Sequence, residues 1–266
     1  MEQIGSSKAP VEVNLVRHMI LNSIRANVRK FKSFGEVIIA CDNKKYWRRE
    51  VFPFYKANRK KSREDSGHDW QSIFECLHKV KEELKQYSPY RVIDVDGAEA
   101  DDIIGVLAKK YSVGEKVLIL SSDKDFVQLQ IYPNVSQYSP IMKKHIKSDN
   151  PSAQLKELII FGDKSDGIPN ILSADNCLVE SIRQKSITKV KLQEMMNTSI
   201  SSDGNELLKR NWARNQQLID LSFIPESIVN SILSTYEELK PSTRQQFMNY
   251  MIANRLTNLL EVIDEF

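Results

Sequence analysis

The chain has 266 residues, 41% of them hydrophobic and 27% charged, the composition of an ordinary globular protein with room for one large domain or two small ones. No apolar run reaches the roughly 18 residues of a membrane-spanning helix, and the start MEQIGSSKAPVEVNL lacks the basic and apolar stretches of a signal peptide, so neither a membrane role nor secretion is expected. Three scattered cysteines, Cys41, Cys76 and Cys177, argue against a disulfide framework or a zinc site and for a reducing compartment. The formal net charge is only +3, but residues 43–63 hold nine Lys or Arg against one Glu, and the rest of the chain carries 29 basic against 34 acidic residues. An acidic body with one strongly basic strip is the result. Tyr46, Trp47, Phe52, Phe54 and Tyr55 interleave the strip, so phosphate neutralisation with base stacking is the reading preferred over a plain solvated face.

In chain order, residues 13–32 carry apolar positions at helical spacing (Leu15, Met19, Ile20, Ile24, Val28) and predict an amphipathic helix. GEVIIACDN predicts a buried strand ending at Asp42, ahead of the basic strip. Residues 69–87 predict a helix capped by Asp69. YRVIDVD is a strand, EADDIIGVLAKKY a helix from Glu99, EKVLILSSD a strand and DFVQLQ the start of a helix. PNVSQYSPIMKKHIK fits a short hairpin. Alternating strands and helices predict an α/β fold with a mostly parallel central sheet and flanking helices. Beyond residue 150 the strand pattern stops, and residues 154–161, 174–199, 205–219, 225–237 and 241–260 read as helices, with GDKSDGIPNI a turn between the first two. The expected organisation is an α/β half over residues 1–150 and a helical half over residues 151–266.

Three apolar strands run into acids. In an open parallel sheet the carboxyl ends of the strands share one edge, which predicts that Asp42, Glu99, Asp101, Asp102, Asp123 and Asp125 converge. Like charges so placed need protons or divalent cations, and an oxygen-only set suits Mg²⁺ or Mn²⁺. Each motif alone is weak. Acids at a helix start also suit the helix dipole, worth ~0.3–1 kcal/mol each. Their coincidence at three strand ends carries the weight, and Asp163 and Asp166 of GDKSDG add to it from the helical half. An acidic metal crevice beside a basic aromatic strip points to phosphodiester cleavage.

Taken in order, CDN, YWRRE, FYKANRKK, EADDIIGVL, SSDKDF and GDKSDGIPN make the sequence resemble the 5′-nuclease (flap endonuclease) superfamily, and within it the ribonuclease H / 5′→3′ exonuclease group of T-even-type phages, from about residue 14 to the C-terminal DEF. The resemblance implies two Mg²⁺ ions, replaceable by Mn²⁺. Asp42, Glu99, Asp101 and Asp123 would serve the first, Asp125, Asp163 and Asp166 the second, with Asp102 behind them. It implies a basic helical arch over about 43–68, with Lys56 and Arg59 at the scissile phosphate, Tyr55 packing or stacking there, and Arg48, Arg49, Lys60 and Lys61 on nucleic acid. Gly167 would sit in a helix–turn–helix that grips duplex through backbone amides. The implied function is 5′→3′ cleavage of RNA–DNA hybrids, duplex DNA and 5′ flaps by a monomer. It would remove RNA primers during lagging-strand replication in a host cytoplasm, beside a sliding clamp and a single-strand binding protein. The sequence departs from the family at its start, where members carry an apolar strand with an aspartate. Here no such run precedes the first helix and no Asp precedes Asp42.

Two other readings compete. A relative with an incomplete metal set would bind branched DNA without cutting it. A haloacid-dehalogenase-like phosphatase would use Asp94 of VIDVDG as nucleophile and Asp96 as acid, but ninety-three residues precede that motif, which usually opens the fold. The four histidines read as surface or core residues, Trp70 and Trp212 as packing groups, and LLEVIDEF as an ordinary terminal helix.

Overall fold

The computed structural model describes residues 11–266; the start of the chain, on which part of the missing-strand reading rests, lies outside the described residues. The elements run α1 (Val13–Lys30), β1 (Ile38–Ala40), α2 (Arg48–Val51), α3 (Arg59–Asp65), α4 (Trp70–Tyr87), β2 (Arg91–Ile93), α5 (Ala100–Tyr111), β3 (Val117–Leu120), a 3₁₀ segment (Lys124–Ile131), β4 (Val135–Ser139), β5 (Lys144–Ile146), α6 (Pro151–Phe161), α7 (Lys189–Asn197), α8 (Ile200–Asp203), α9 (Glu206–Ile219), α10 (Glu226–Glu238), α11 (Arg244–Ala253) and α12 (Thr257–Leu260). They group into two compact units. One comprises the described residues up to Cys41 with Arg63–Asp94 and Ser234–Phe266, the other Asp42–Ser62 with Val95–Leu233. Residue 150 therefore falls inside the second unit.

In the first unit, α4 buries Ile73, Cys76, Val80 and Leu84, one stripe at helical spacing. Asp69 caps that helix by accepting the Ser72 N–H at 3.1 Å. The stripe packs with Val16 and Leu21 of α1 and with Phe247, Tyr250 and Met251 of α11 in one apolar core. Burying each such side chain stabilises the fold by ~1.5–3 kcal/mol. Arg17 is drawn into this core because Glu83 accepts its Nε–H at 2.7 Å and the Tyr250 hydroxyl at 2.9 Å. Leu259, Leu260, Ile263 and Phe266 join this core, but the expected terminal helix is divided, α12 ending at Leu260 and a 3₁₀ turn following over Ile263–Glu265.

In the second unit, α5 supplies Ile103, Val106 and Leu107 to the interior, and Ala108 packs with Ile119, Phe126 and Leu129. The helix predicted from Asp125 is a 3₁₀ segment instead. Four consecutive buried residues, Phe126 to Leu129, leave no single solvent face for an α-helical stripe. The predicted hairpin is present, β4 pairing antiparallel with β5 and parallel with β3.

Three expectations change. The strands form two small sheets among the described residues, β1 with β2 and β3–β4–β5, rather than one central sheet. Runs of three to five residues announce strands without naming their partners. The helix expected over residues 174–199 begins only at Lys189, so among the described residues no second helix follows the GDKSDGIPNI turn directly and the helix–turn–helix is not shown. Asn170 and Ser173 take the backbone of that stretch: Asn170 Nδ2 donates to the Lys185 carbonyl at 2.8 Å and Ser173 Oγ accepts the Lys185 N–H at 3.0 Å. Residues 241–260 break into α11 and α12 where Arg255 takes a left-handed φ of 55°.

Candidate active site

Two neighbouring acids at the start of α5 have opposite surroundings. Asp102 lies four residues before Val106, on the face that packs inward, and is fully buried. Its Oδ2 accepts the Glu99 N–H at 2.9 Å, closing the first turn. Glu99 is buried as well, and Arg48 neutralises both, with Nη2 2.8 Å from Asp102 Oδ1 and Nη1 2.9 Å from Glu99 Oε2. Arg48 Nε donates to the Leu218 carbonyl at 2.8 Å, and the Trp47 indole N–H donates to Asp102 at 3.2 Å. Burial works against the Arg48 charge, but Asp102, Tyr55 and Glu99 outweigh it and raise its pKa. The Lys56 ammonium also pairs with Glu99.

This buried layer corrects part of the sequence reading. Arg48 and Tyr55, expected on nucleic acid, are 3% and 2% exposed. The Tyr55 hydroxyl bridges Glu99 and Asp166 at 3.0 and 2.9 Å and has no ring face for a base. Trp47 and Phe52 are buried too. Of the strip's aromatics, Tyr55 and Trp47 hydrogen-bond the acids of this layer.

Above that layer Asp101, Asp123 and Asp125 line a cleft of about 630 Å³, joined by Asp163 and Asp166. Lys56, Arg59 and Lys124 line it as well. Asp42, Glu99 and Asp102 do not; Asp42 Oδ1 accepts the Ala100 N–H at 2.8 Å, holding the helix start. The eight nominated acids thus separate into five at a cleft and three that organise α5. Asp94 pairs with Lys81 at 2.7 Å, outside this cleft. No histidine among the described residues lines it.

Burial, reinforced by Asp123 and Glu99 and opposed by Lys56, pushes Asp101 up to about 7. Burial together with Asp123 and Asp163 pushes Asp125 up to about 8. These carboxylates lack sufficient positive charge, and Asp125 Oδ1 is buried without a hydrogen-bond partner. An all-oxygen, electron-rich set of this kind fits a hard divalent cation. No three His, Cys, Asp or Glu among the described residues are grouped closely enough to hold an ion by themselves.

Asp163 and Asp166 sit on a tight loop between α6 and residue 169. Gly162 adopts φ +68°, and a Cβ there would lie 2.4 Å from the Ile168 carbonyl oxygen. Gly167, expected to touch nucleic acid, is buried against the Phe54 carbonyl, and its amide donates to Lys164 O at 3.2 Å. Asp163 Oδ1 accepts the Ser165 N–H at 2.7 Å and the Ser165 hydroxyl at 2.6 Å. Burial would raise its pKa, but Ser165 and Lys124 outweigh burial and lower it. The loop also fixes the cationic wall. Asp166 O accepts the Lys56 N–H at 2.7 Å, Ser165 O accepts Arg59 Nε–H at 3.1 Å, and Arg59 pairs with the Asp166 carboxylate. Arg49 is exposed with its guanidinium 4.8 Å from the Tyr46 ring centroid, and Lys60 and Lys61 are exposed on α3.

The sequence reading passed over Lys124, whose ammonium lies 3.3 Å from Asp163 Oδ2. It stood in plain view between two nominated acids of DKD. Lys185, across the cleft, carried no local signal.

An acidic cleft with a cationic wall on an α/β frame is the site of a phosphate-ester enzyme, and comparison with known proteins places the chain among them. Residues 4–157 match the 5′-3′ exonuclease N-terminal resolvase-like domain, and residues 141–266 match the C-terminal domain of T4 RNase H. The ribonuclease H of Enterobacteria phage T4 is 39% identical over 97% of this chain and 89% of its own. A 5′-3′ exonuclease of Buchnera aphidicola from Acyrthosiphon pisum is 32% identical over 54% of this chain and 50% of its own. The chain belongs to the ribonuclease H / 5′-3′ exonuclease family, nucleases that hydrolyse phosphodiester bonds. That membership displaces the phosphatase reading. A bacteriophage T5 flap endonuclease, solved as a pseudo-enzyme-product complex with DNA and metal ions, shares the fold with a TM-score of 0.61 at 20% identity, covering 88% of this chain and 93% of its own. A T5 5′-exonuclease with zinc bound matches with the same TM-score at 17% identity. No helix among the described residues is long and apolar enough to cross a membrane.

Proposed function

We propose that the chain is a divalent-metal-dependent 5′→3′ nuclease acting on RNA–DNA hybrids, duplex DNA and 5′ flaps, and that it removes RNA primers during lagging-strand replication. The observation that carries this reading is the divided charge of one cleft, carboxylates short of cations at Asp101 and Asp125, with Asp123 beside them, facing a wall of Lys56 and Arg59. Asp101, Asp123 and Asp125 would each supply ligand oxygens to Mg²⁺ or Mn²⁺, with water and substrate oxygens completing the shell and Asp163 and Asp166 contributing in part through water. Two such ions would supply an activated water and stabilise the leaving oxygen of a displacement.

The residues of the chain do the rest. Lys56 and Arg59 bind non-bridging phosphate oxygens, and their reach is set by Glu99 and Asp166, which pair with them from below. Burial lowers the Lys56 pKa less than Asp166 and Glu99 raise it, so the ammonium keeps its proton through any neutral-pH turnover. Arg49, Lys60 and Lys61 are exposed to follow the polyanion that the acids would otherwise repel. Monomeric action beside a sliding clamp and a single-strand binding protein completes the reading.

The test is cleavage of a 5′-labelled flap and a 5′-labelled RNA–DNA hybrid with Mg²⁺, alongside Asp123→Asn. Short labelled products that vanish in the variant and in EDTA support the reading. Salt-sensitive flap binding without any product would identify a branched-DNA-binding relative that does not cut.

A further inference from the structure

Asp163 and Asp166 stand on a loop whose two ends are joined from behind by one helix. Asn215 of α9 is completely buried, and its Nδ2 donates to the Ile159 carbonyl at 2.8 Å and to the Pro169 carbonyl at 2.9 Å. Ile159 lies in the last turn of α6, where the chain enters the loop, and Pro169 lies where it leaves. A single amide nitrogen therefore ties entry to exit. Arg214 completes the tie. Its Nε donates to Asn215 Oδ1 at 2.9 Å, its Nη2 donates to the same Pro169 carbonyl at 3.0 Å, and its Nη1 pairs with Asp175. Every polar atom of the Asn215 side chain is thereby used. A shift of the loop would orphan a buried donor, so the pair favours one loop shape strongly. Ile171 N–H to Ile160 O at 3.1 Å and Ile168 N–H to Asp163 O at 2.7 Å close the neck in front.

The same loop carries Asp166 O, which receives the Lys56 N–H, and Ser165 O, which receives Arg59. We propose that Arg214 and Asn215 are positioning residues for the cleft, fixing Asp163 and Asp166 and, through the loop backbone, Lys56 and Arg59. This rests on the nuclease reading above. Neither side chain lines the cleft, so both act entirely through the loop.

Asn215→Leu removes both donors at similar volume. The expected result is an apparent Mg²⁺ half-saturation raised at least tenfold and a lower kcat, with a smaller rise in KM for the flap as Lys56 and Arg59 lose their backbone anchors. Calorimetric titration with Mn²⁺ in the absence of substrate should show the same weakening. Tyr250→Phe, which loses the Glu83 hydrogen bond in the other unit, serves as the control for lost stability and should leave metal affinity and kcat unchanged. A lowered Tm in Asn215→Leu with wild-type metal affinity and kcat overturns the proposal. If Asn215→Leu does not fold, Asp175→Asn removes the partly exposed countercharge of Arg214, and at least a threefold weakening of Mn²⁺ binding is expected; no change overturns the proposal. A wild-type protein that binds no ion and cuts nothing overturns the nuclease reading and this inference with it, whereas an active wild type with an indifferent Asn215→Leu overturns only the inference.

Discussion

Asp101 and Asp102 are consecutive residues of one helical turn, yet one borders an open cleft and the other is sealed beneath it. Asp102 is fully buried and has Arg48 and Trp47 as partners. Asp101 is only half buried, yet burial with Asp123 and Glu99 outweighs Lys56 and Arg48 and pushes it up to about 7. Depth alone does not decide which acid is left short of positive charge; the countercharge in direct contact does. The deeper one has its countercharge built in; the shallower one is left short of positive charge, as a group that receives a cation from solution has to be. The lower acids make a platform and the upper acids make a site.

The largest effect that separates the two is on activity. Asp101→Asn should reduce cleavage by at least roughly 10²-fold, above what is typical for supporting residues around a metal, while thermal unfolding stays unchanged or shifts upward, because a like charge has been removed. A lowered Tm would erase the distinction between the acids. Arg48→Met should show the converse: it leaves Glu99 and Asp102 buried without their main cation and should cost about 3–5 kcal/mol in chemical denaturation. Wild-type stability in that variant would mean the platform does not depend on the ion pairs.

The pH dependence of the metal-free protein sharpens the comparison further. Asp101 and Asp125 titrate near 7 and 8 in the folded chain and near 4 when unfolded. The folded chain holds the extra protons between those values, so their contribution is full below about pH 4 and is lost as the pH rises through 7 to 8. In EDTA, Tm should fall from about pH 5 to pH 8, and Mg²⁺ should flatten the curve. A Tm that rises over that interval without metal would contradict the crowding of these acids. The smallest effect is expected of Lys124→Ala, which removes an exposed partner of Asp163; surface pairs are worth roughly 0–1 kcal/mol, so stability should hardly change and the Mg²⁺ half-saturation should move only a few-fold.

Much of this was legible in the sequence because it is local. The Asp69 cap, the α4 stripe and the β4–β5 hairpin follow from residues that are close neighbours along the chain. The family resemblance set Asp102 behind the other acids, and the structure supplies the reason, since Asp102 falls on the stripe continued by Val106. What could not be read was partnership across distance. Nothing around Arg48 announces that its guanidinium ends 2.8 Å from a carbonyl 170 residues away, so a basic aromatic strip looked like a nucleic-acid surface throughout. The stretch before α7 reads as helix by composition, and only the Asn170 and Ser173 side chains, set by the loop, divert its backbone. Strand partners were unreadable for the same reason.

The neck of the Asp163–Asp166 loop also bears on how this protein can vary. With a Cβ at position 162 only 2.4 Å from a carbonyl oxygen, and one at 167 only 2.8 Å from another, the loop has no spare volume at either hinge. Lengthening it by one residue would separate the two carbonyls that Asn215 joins. Insertions and hinge substitutions are therefore closed to neutral drift, and what variation the loop accepts is concentrated at the exposed Lys164, since the Ser165 hydroxyl holds Asp163. A library randomised across residues 162–169 and selected for cleavage should return the same length every time, with diversity concentrated at position 164.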